Sequence, residues 1–240
     1  MCDRRSDRIR IFPENMPRLD IATEERTMIQ TSEFRGMLRS RILEILDSWP
    51  AADQYAIMFF INPNEANEYR GYSNLSEFAM VYKCDSDLGP GSILSLGASD
   101  EDEEKWNPAF WEYDLREWII GYDEPDSMTA ALIDWYESIG VQNIGFEDTD
   151  SIYNEKWEYI GRGPNGHMEL LQLAADIAAE FQREGILEKK LGRRIPIILA
   201  DYEFTWYMIK ATAAANPNGE ADEYIGACLR GGYISDEQLR

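Results

Sequence analysis

Glu112 and Asp114 stand two residues apart, flanked by Trp111 and Tyr113. A carboxyl pair in an aromatic cleft is the arrangement with which glycosidases do acid–base work. It is the one place where residue types and spacing suggest such chemistry directly. The competing reading is chance, because carboxylates in so acidic a chain find neighbours everywhere. Asp201 directly follows an apolar run, and strand-end acids can be catalytic or can bind metal; an Asp that starts a turn is the commoner case. His167 is the only histidine, and a lone His in a polar loop is more often structural. Cys2, Cys84 and Cys228 are dispersed, with neither metal-ligand spacing nor a disulfide framework. Residues 161–166, Gly-Arg-Gly-Pro-Asn-Gly, look at first like a phosphate loop. However, Pro164 removes a donor, no Lys-Ser/Thr follows, and no apolar strand feeds it. The expectation is no catalytic residue, no resident metal and no cofactor.

Charge is the stronger signal. The net charge is −22, and residues 51–160 carry 24 acids against 5 bases. Residues 1–50 are balanced at 9 and 9, and residues 161–240 nearly so at 12 and 9. The acidic stretch also holds five of the seven tryptophans. Charge steers an encounter with a basic partner, and aromatics supply desolvated anchors. The run Asp100, Glu101, Asp102, Glu103 and Glu104 repels itself and cannot be buried unpaired. It opens onto Trp106 and Trp111, five apart with Pro108 between them, a spacing that suits no regular helical stripe. Either at least one of these indoles is partly exposed, or both pin this loop onto the core. The expected partner-binding set is Asp100 to Glu104, Trp106, Trp111, Glu112 and Asp114, with Asp123, Glu124 and Asp126 and the acids at 147–150 extending it. The bland alternative is a solvated acidic face over an ordinary core. Nucleic acid and anionic membranes are disfavoured as partners, because like charge repels them.

The elements that must position these residues follow from periodicity. Phe34, Met37, Leu38, Ile42, Ile45, Leu46 and Trp49 recur at helical spacing over 32–49, with Ser32 as N-cap and Pro50 as stop. Residues 55–61 form an apolar strand covered on both faces. A short strand over 68–72 is possible. Residues 73–82 fit either a helix or a strand, and the helix is preferred. Helices follow over 127–139 and 166–184, the latter with a broad apolar stripe through Phe181. A second buried strand spans 195–200, beside the first in a central sheet. Helices over 206–215 and 220–229 close the chain. Trp49, Phe59, Leu171 and Phe181 are the expected core. The fold class is a single α+β domain over 28–240, a central mixed or antiparallel sheet with several packed helices. Residues 1–27 read as an irregular N-terminal arm. No signal-peptide pattern or membrane-spanning run is present, and dispersed cysteines suit a cytoplasmic setting.

The order of these pieces resembles a known family. A helix leads to Tyr55-Ala-Ile-Met-Phe-Phe, then to an acidic stretch containing Lys105-Trp-Asn-Pro-Ala-Phe-Trp-Glu-Tyr. A long helix ends in Phe181-Gln-Arg-Glu-Gly, and then come Ile195-Pro-Ile-Ile-Leu-Ala-Asp and a late Asn216-Pro217. The chain is similar in these respects, over roughly residues 30–226, to the bacterial domain-of-unknown-function family DUF4303. The N-terminal arm and a longer stretch between Trp118 and Asn154 depart from it. The resemblance implies an immunity protein, encoded beside a polymorphic toxin, that binds and neutralises a basic toxin domain. It carries over no active site. Two other readings remain: a carboxylate-based hydrolase with an aromatic cleft, and a generic acidic interaction domain.

Overall fold

The structure is a computed structural model that describes residues 29–50, 53–88, 101–111, 115–121, 127–148, 152–155 and 159–239. The expected N-terminal arm lies outside these residues. Helix α1 spans Thr31–Ser48 and is followed by β1, Gln54–Asn64. β2 is Leu75–Cys84, and the short α2 is Glu101–Trp106. β3 is Glu117–Ile120, and α3 is Ser127–Ser138. α4 spans His167–Glu184, α5 Ile186–Leu191 and β4 Ile197–Ala200. The chain continues through α6, Trp206–Ala215, α7, Asp222–Gly231, and α8, Asp236–Leu239.

The four strands form one mixed sheet in the order β3-β2-β1-β4, with β4 parallel to β1 and the other pairs antiparallel. This is a single α+β domain, as expected. The period of two along each strand assigns side chains to two layers. Ile57, Phe59, Ile61, Ile197 and Leu199 meet α1, α3 and α4 on one face. Met58, Phe60, Ile198 and Ala200 meet Trp106, Trp111 and the α7 residues Tyr224, Ala227 and Cys228 on the other. A register break between Gln54 and Ala56 puts Tyr55 and Ala56 into the same second layer.

Two expectations need correction. Residues 75–84 are a strand rather than the preferred helix, paired antiparallel along the length of β1. Both faces of β2 are covered, so its apolar residues run nearly without alternation, and the period that separates strand from helix is erased. Residues 68–72 make only a tight turn closed by a Tyr69–Tyr72 bridge. Of the expected core, Phe59, Leu171 and Phe181 are buried. Trp49 is only partly buried and packs edge-on against Tyr82.

β4 is adjacent to β1, as expected, but it is the end strand of the sheet. Its residues are nevertheless buried. The outward-facing backbone groups at positions 197 and 199 meet side chains instead of a strand. Asn216 Oδ1 accepts from Ile197 N at 3.0 Å, and its Nδ2 donates to Ile197 O at 2.8 Å. Thr212 Oγ1 accepts from Leu199 N at 2.9 Å and donates to Leu199 O at 3.1 Å. Thr212 and Asn216 are four apart, one helical turn, so α6 and its C-cap residue present them in line along the edge. Gln182 from α4 donates to Asn216 Oδ1 and to Ile195 O, both at 2.9 Å. Asn216→Ala is expected to orphan a buried N–H and a buried C=O, destabilising the fold by about 2–4 kcal/mol. Urea unfolding measures the loss, and faster exchange of the Ile197 amide localises it. A change below about 0.5 kcal/mol would mean the edge needs no seal.

Candidate functional site

Four acids of the run, Glu101 to Glu104, lie in helix α2, and Glu101 is exposed on it. Asp102, Glu103 and Glu104 are partly buried. Asp102 takes a bidentate hydrogen bond from Arg230 of α7, with Nε and Nη2 each 2.9 Å from a carboxylate oxygen. Lys105 Nζ pairs with Glu223 Oε1, also of α7, at 2.6 Å. Two further donors hold the C-terminal end of α2 from the sheet. Lys83 Nζ donates to Glu104 O at 2.7 Å, and Tyr55 OH to Lys105 O at 2.8 Å. Cations suit a helix C-terminus, and burial pushes the Lys83 ammonium down to about 8.

This clamp decides the fate of the tryptophans. Trp106 and Trp111 are each 3% exposed, so neither is a partly exposed anchor and the alternative holds: both pin the loop onto the core. Both pack edge-on against Tyr55, and Trp106 also against Tyr224. A turn at Pro108–Phe110, whose N-cap Asn107 accepts from Ala109 N, brings Trp111 back to the sheet. Irregular spacing thus does not imply exposure; a tight turn can return both rings to one layer. Asp100, Glu112, Asp114, Asp123, Glu124, Asp126 and Asp150 lie outside the described residues. Glu147 accepts from Tyr159 OH at 3.0 Å.

Exposed aromatics cluster elsewhere. Two adjoining hollows of about 760 and 290 Å³ share Tyr159, Glu203 and Thr205 in their walls. They open beyond the carboxyl end of β4, where the chain leaves Ala200 through Asp201 and Tyr202. Seven large apolar side chains among the described residues are exposed. Four of them line this groove: Tyr153 at 53%, Ile160 at 50%, Tyr202 at 54% and Tyr233 at 46%. Asp201 and Glu203 also line it, and no Lys or Arg among the described residues does. Beneath Tyr202 lies the buried Arg116, its guanidinium 3.7 Å from the Phe60 ring and 5.5 Å from that of Tyr202. Phe204 and Tyr233 join the groove to a third cavity, of about 300 Å³, that reaches Asp102 and Glu103 on α2. The acids singled out in the sequence therefore adjoin the aromatic groove, although its aromatic residues are not the ones singled out. A signal for them existed in Asp201-Tyr-Glu-Phe204, where aromatics alternate with acids in a turn.

The other candidate chemistries have structural explanations. Asp201 Oδ1 accepts from Glu203 N at 2.7 Å, the local bond of an Asp that starts a turn. Its Oδ2 faces Tyr207 OH at 3.3 Å and Thr205 Oγ1 at 3.5 Å. Burial pushes this carboxyl up to about 6, against the pull of those bonds. His167 is buried, its Nδ1 lies 3.0 Å from Ser76 Oγ, and burial pushes it down to about 4. The glycine-rich loop wraps this imidazole. At Gly163, with φ +71°, a Cβ would lie 2.8 Å from the His167 ring. Several donors here are spent within the fold, Gly163 N on Tyr159 OH, Asn165 N on Phe146 O and His167 N on Pro164 O. Cys84 and Cys228 are buried thiols. Among the described residues no group of three His, Cys, Asp or Glu is placed to hold a metal ion, and no helix is long and apolar enough to cross a membrane.

No family model, no curated protein and no solved structure matches the chain.

Two buried groups, His167 and Asp201, oppose each other as pH falls from 7 to 4. His167 has a folded value below its ordinary 6.5, so its contribution is intact above that pH and is lost as pH falls toward 4. Asp201 has a folded value above its ordinary 3.8, so its burial cost is full above about 6 and is relieved as pH falls toward 3.8. Asp201→Asn is expected to raise stability at pH 7 by on the order of 2 kcal/mol. It should also steepen the loss between pH 6 and 4, where His167 then acts without opposition from Asp201. Denaturant midpoints at pH 7 and 4.5 test this; a gain at pH 4.5 as large as that at pH 7 would contradict it.

Proposed function

We propose that this protein is a non-catalytic binding protein that captures a basic protein domain, acting as an immunity protein does toward a bacterial toxin. One observation carries the reading: exposed Tyr153, Tyr202 and Tyr233 line a groove with carboxylates and, among the described residues, no cation. An exposed aromatic costs little conformational entropy when it binds and offers a large apolar area. Carboxylates around it steer a basic surface into place and repel an acidic one. The resemblance of the chain's motifs to family DUF4303 points the same way and supplies the toxin as the class of partner. The hydrolase reading draws less support. Its pair, Glu112 and Asp114, lies outside the described residues, and the carboxyl of Asp201 is engaged by its own turn.

The direct test is co-expression with the product of the adjoining gene, followed by kinetic binding measurements. A stable complex with a basic domain is expected, with association that slows steeply as salt rises. Tyr202→Ala and Tyr233→Ala are each expected to speed dissociation by about thirtyfold, the size of a 2 kcal/mol hot spot. Glu203→Gln should flatten the salt dependence. Binding by both tyrosine variants that equals the parent's would remove the groove as the interface. A parent chain that binds no basic domain would remove the reading itself.

A further inference from the structure

The cavity between α2 and α7 is narrower than the open groove and is built differently. Trp106, Phe204 and Tyr233 supply aromatic walls, Ala227 and Cys228 line it from α7, and Asp102 and Glu103 supply carboxylates. Its volume of about 300 Å³ lies at the small end of ligand sites, room for one long side chain. The Tyr233 wall depends on the end of α7. A Cβ at Gly231 would lie 2.5 Å from the Tyr233 ring, so only glycine lets the ring fold back there. Tyr233 N then bonds Cys228 O at 3.0 Å and fixes the turn.

The mouth of this cavity already displays the contact it is suited to make. Asp102 receives the guanidinium of Arg230 in fork geometry, yet that arginine is 61% exposed. An exposed ion pair contributes little to stability, so exchanging its cation for another is nearly free. A guanidinium combines a planar face for aromatic rings with a fork for carboxylates, and an ammonium offers neither.

Resting on the binding reading above, we propose that this cavity receives an arginine side chain of the basic partner. The incoming guanidinium takes Asp102 from Arg230 and lies among Trp106, Phe204 and Tyr233. Arg230 is thus an internal placeholder that competes with the partner.

The test uses the full chain and a defined probe, acetyl-Gly-Arg-Gly-amide, with its lysine and citrulline counterparts as controls. Saturable NMR shifts are expected at the Trp106 indole N–H and at residues 227–231. The arginine peptide should bind roughly tenfold tighter than citrulline, which keeps the shape and loses the charge. Asp102→Asn should weaken the arginine peptide by a similar factor. Arg230→Ala should tighten it by about threefold or more, because the competitor is gone. Arg193→Ala removes the same charge from an exposed pair with Asp85 and should change nothing. Three results would each overturn the proposal: no saturable shift, equal binding of arginine and citrulline or lysine peptides, or no gain from Arg230→Ala over Arg193→Ala. A chain that fails this titration yet still captures a basic domain loses the cavity and keeps the binding reading; failure of both removes both.

Discussion

The backbone of β4 must find partners on a side where the sheet has no further strand, and the architecture is arranged around that need. A buried N–H or C=O left unpaired costs far more than a paired one gains. Thr212 and Asn216 act as a strand made of side chains, closing the edge at positions 197 and 199. That fixes α6 along the edge, with Tyr207 and Met208 in one core layer and Ile209 in the other. Gln182 ties the same asparagine to α4. The two layers and the edge are therefore one hydrogen-bonded unit.

The turn from β4 into α6 follows from this placement. β4 ends at Ala200 and α6 begins at Trp206. The five residues between must reverse direction at the rim of the sheet. Asp201 organises the reversal by accepting from Glu203 N, at the cost of burying a carboxyl. The same reversal leaves Tyr202 half in solvent, packed edge-on against Phe60. The exposed aromatic groove is thus a by-product of how the edge is closed.

Much of the frame could be read from the sequence because its signals are local. α3, α4 and α6 begin and end within a residue or two of where periodicity, glycine and Asn-Pro place them. The pairing of the two apolar strands follows from burial alone. β2 was hidden because a strand covered on both faces loses the alternation that identifies it. The role of Asn216 was hidden too: as a residue before proline it reads only as a helix stop, while its edge bonds lie 19 residues away in sequence. Sequence located the acids of α2 but left two fates open for the indoles beside them, and burial is the one the structure has. Nothing local reveals that Lys83 and Tyr55 pull the end of that helix onto the sheet.

The parallel pairing of Ile57 with Ile197 has a temporal side. These residues are 140 positions apart in a chain that emerges in order from the ribosome. β1 and β2 can pair early, but the far flank of β1 stays an open apolar template until residues 197–216 have been made. Loop-closure entropy then opposes the final docking, so such long-range parallel contacts form late and slowly. In that interval the nascent sheet can recruit a strand from another chain. Thr212 and Asn216 arrive shortly after β4 and shut the edge on that side, so docking of β4 and loss of the aggregation hazard at that edge are a single event.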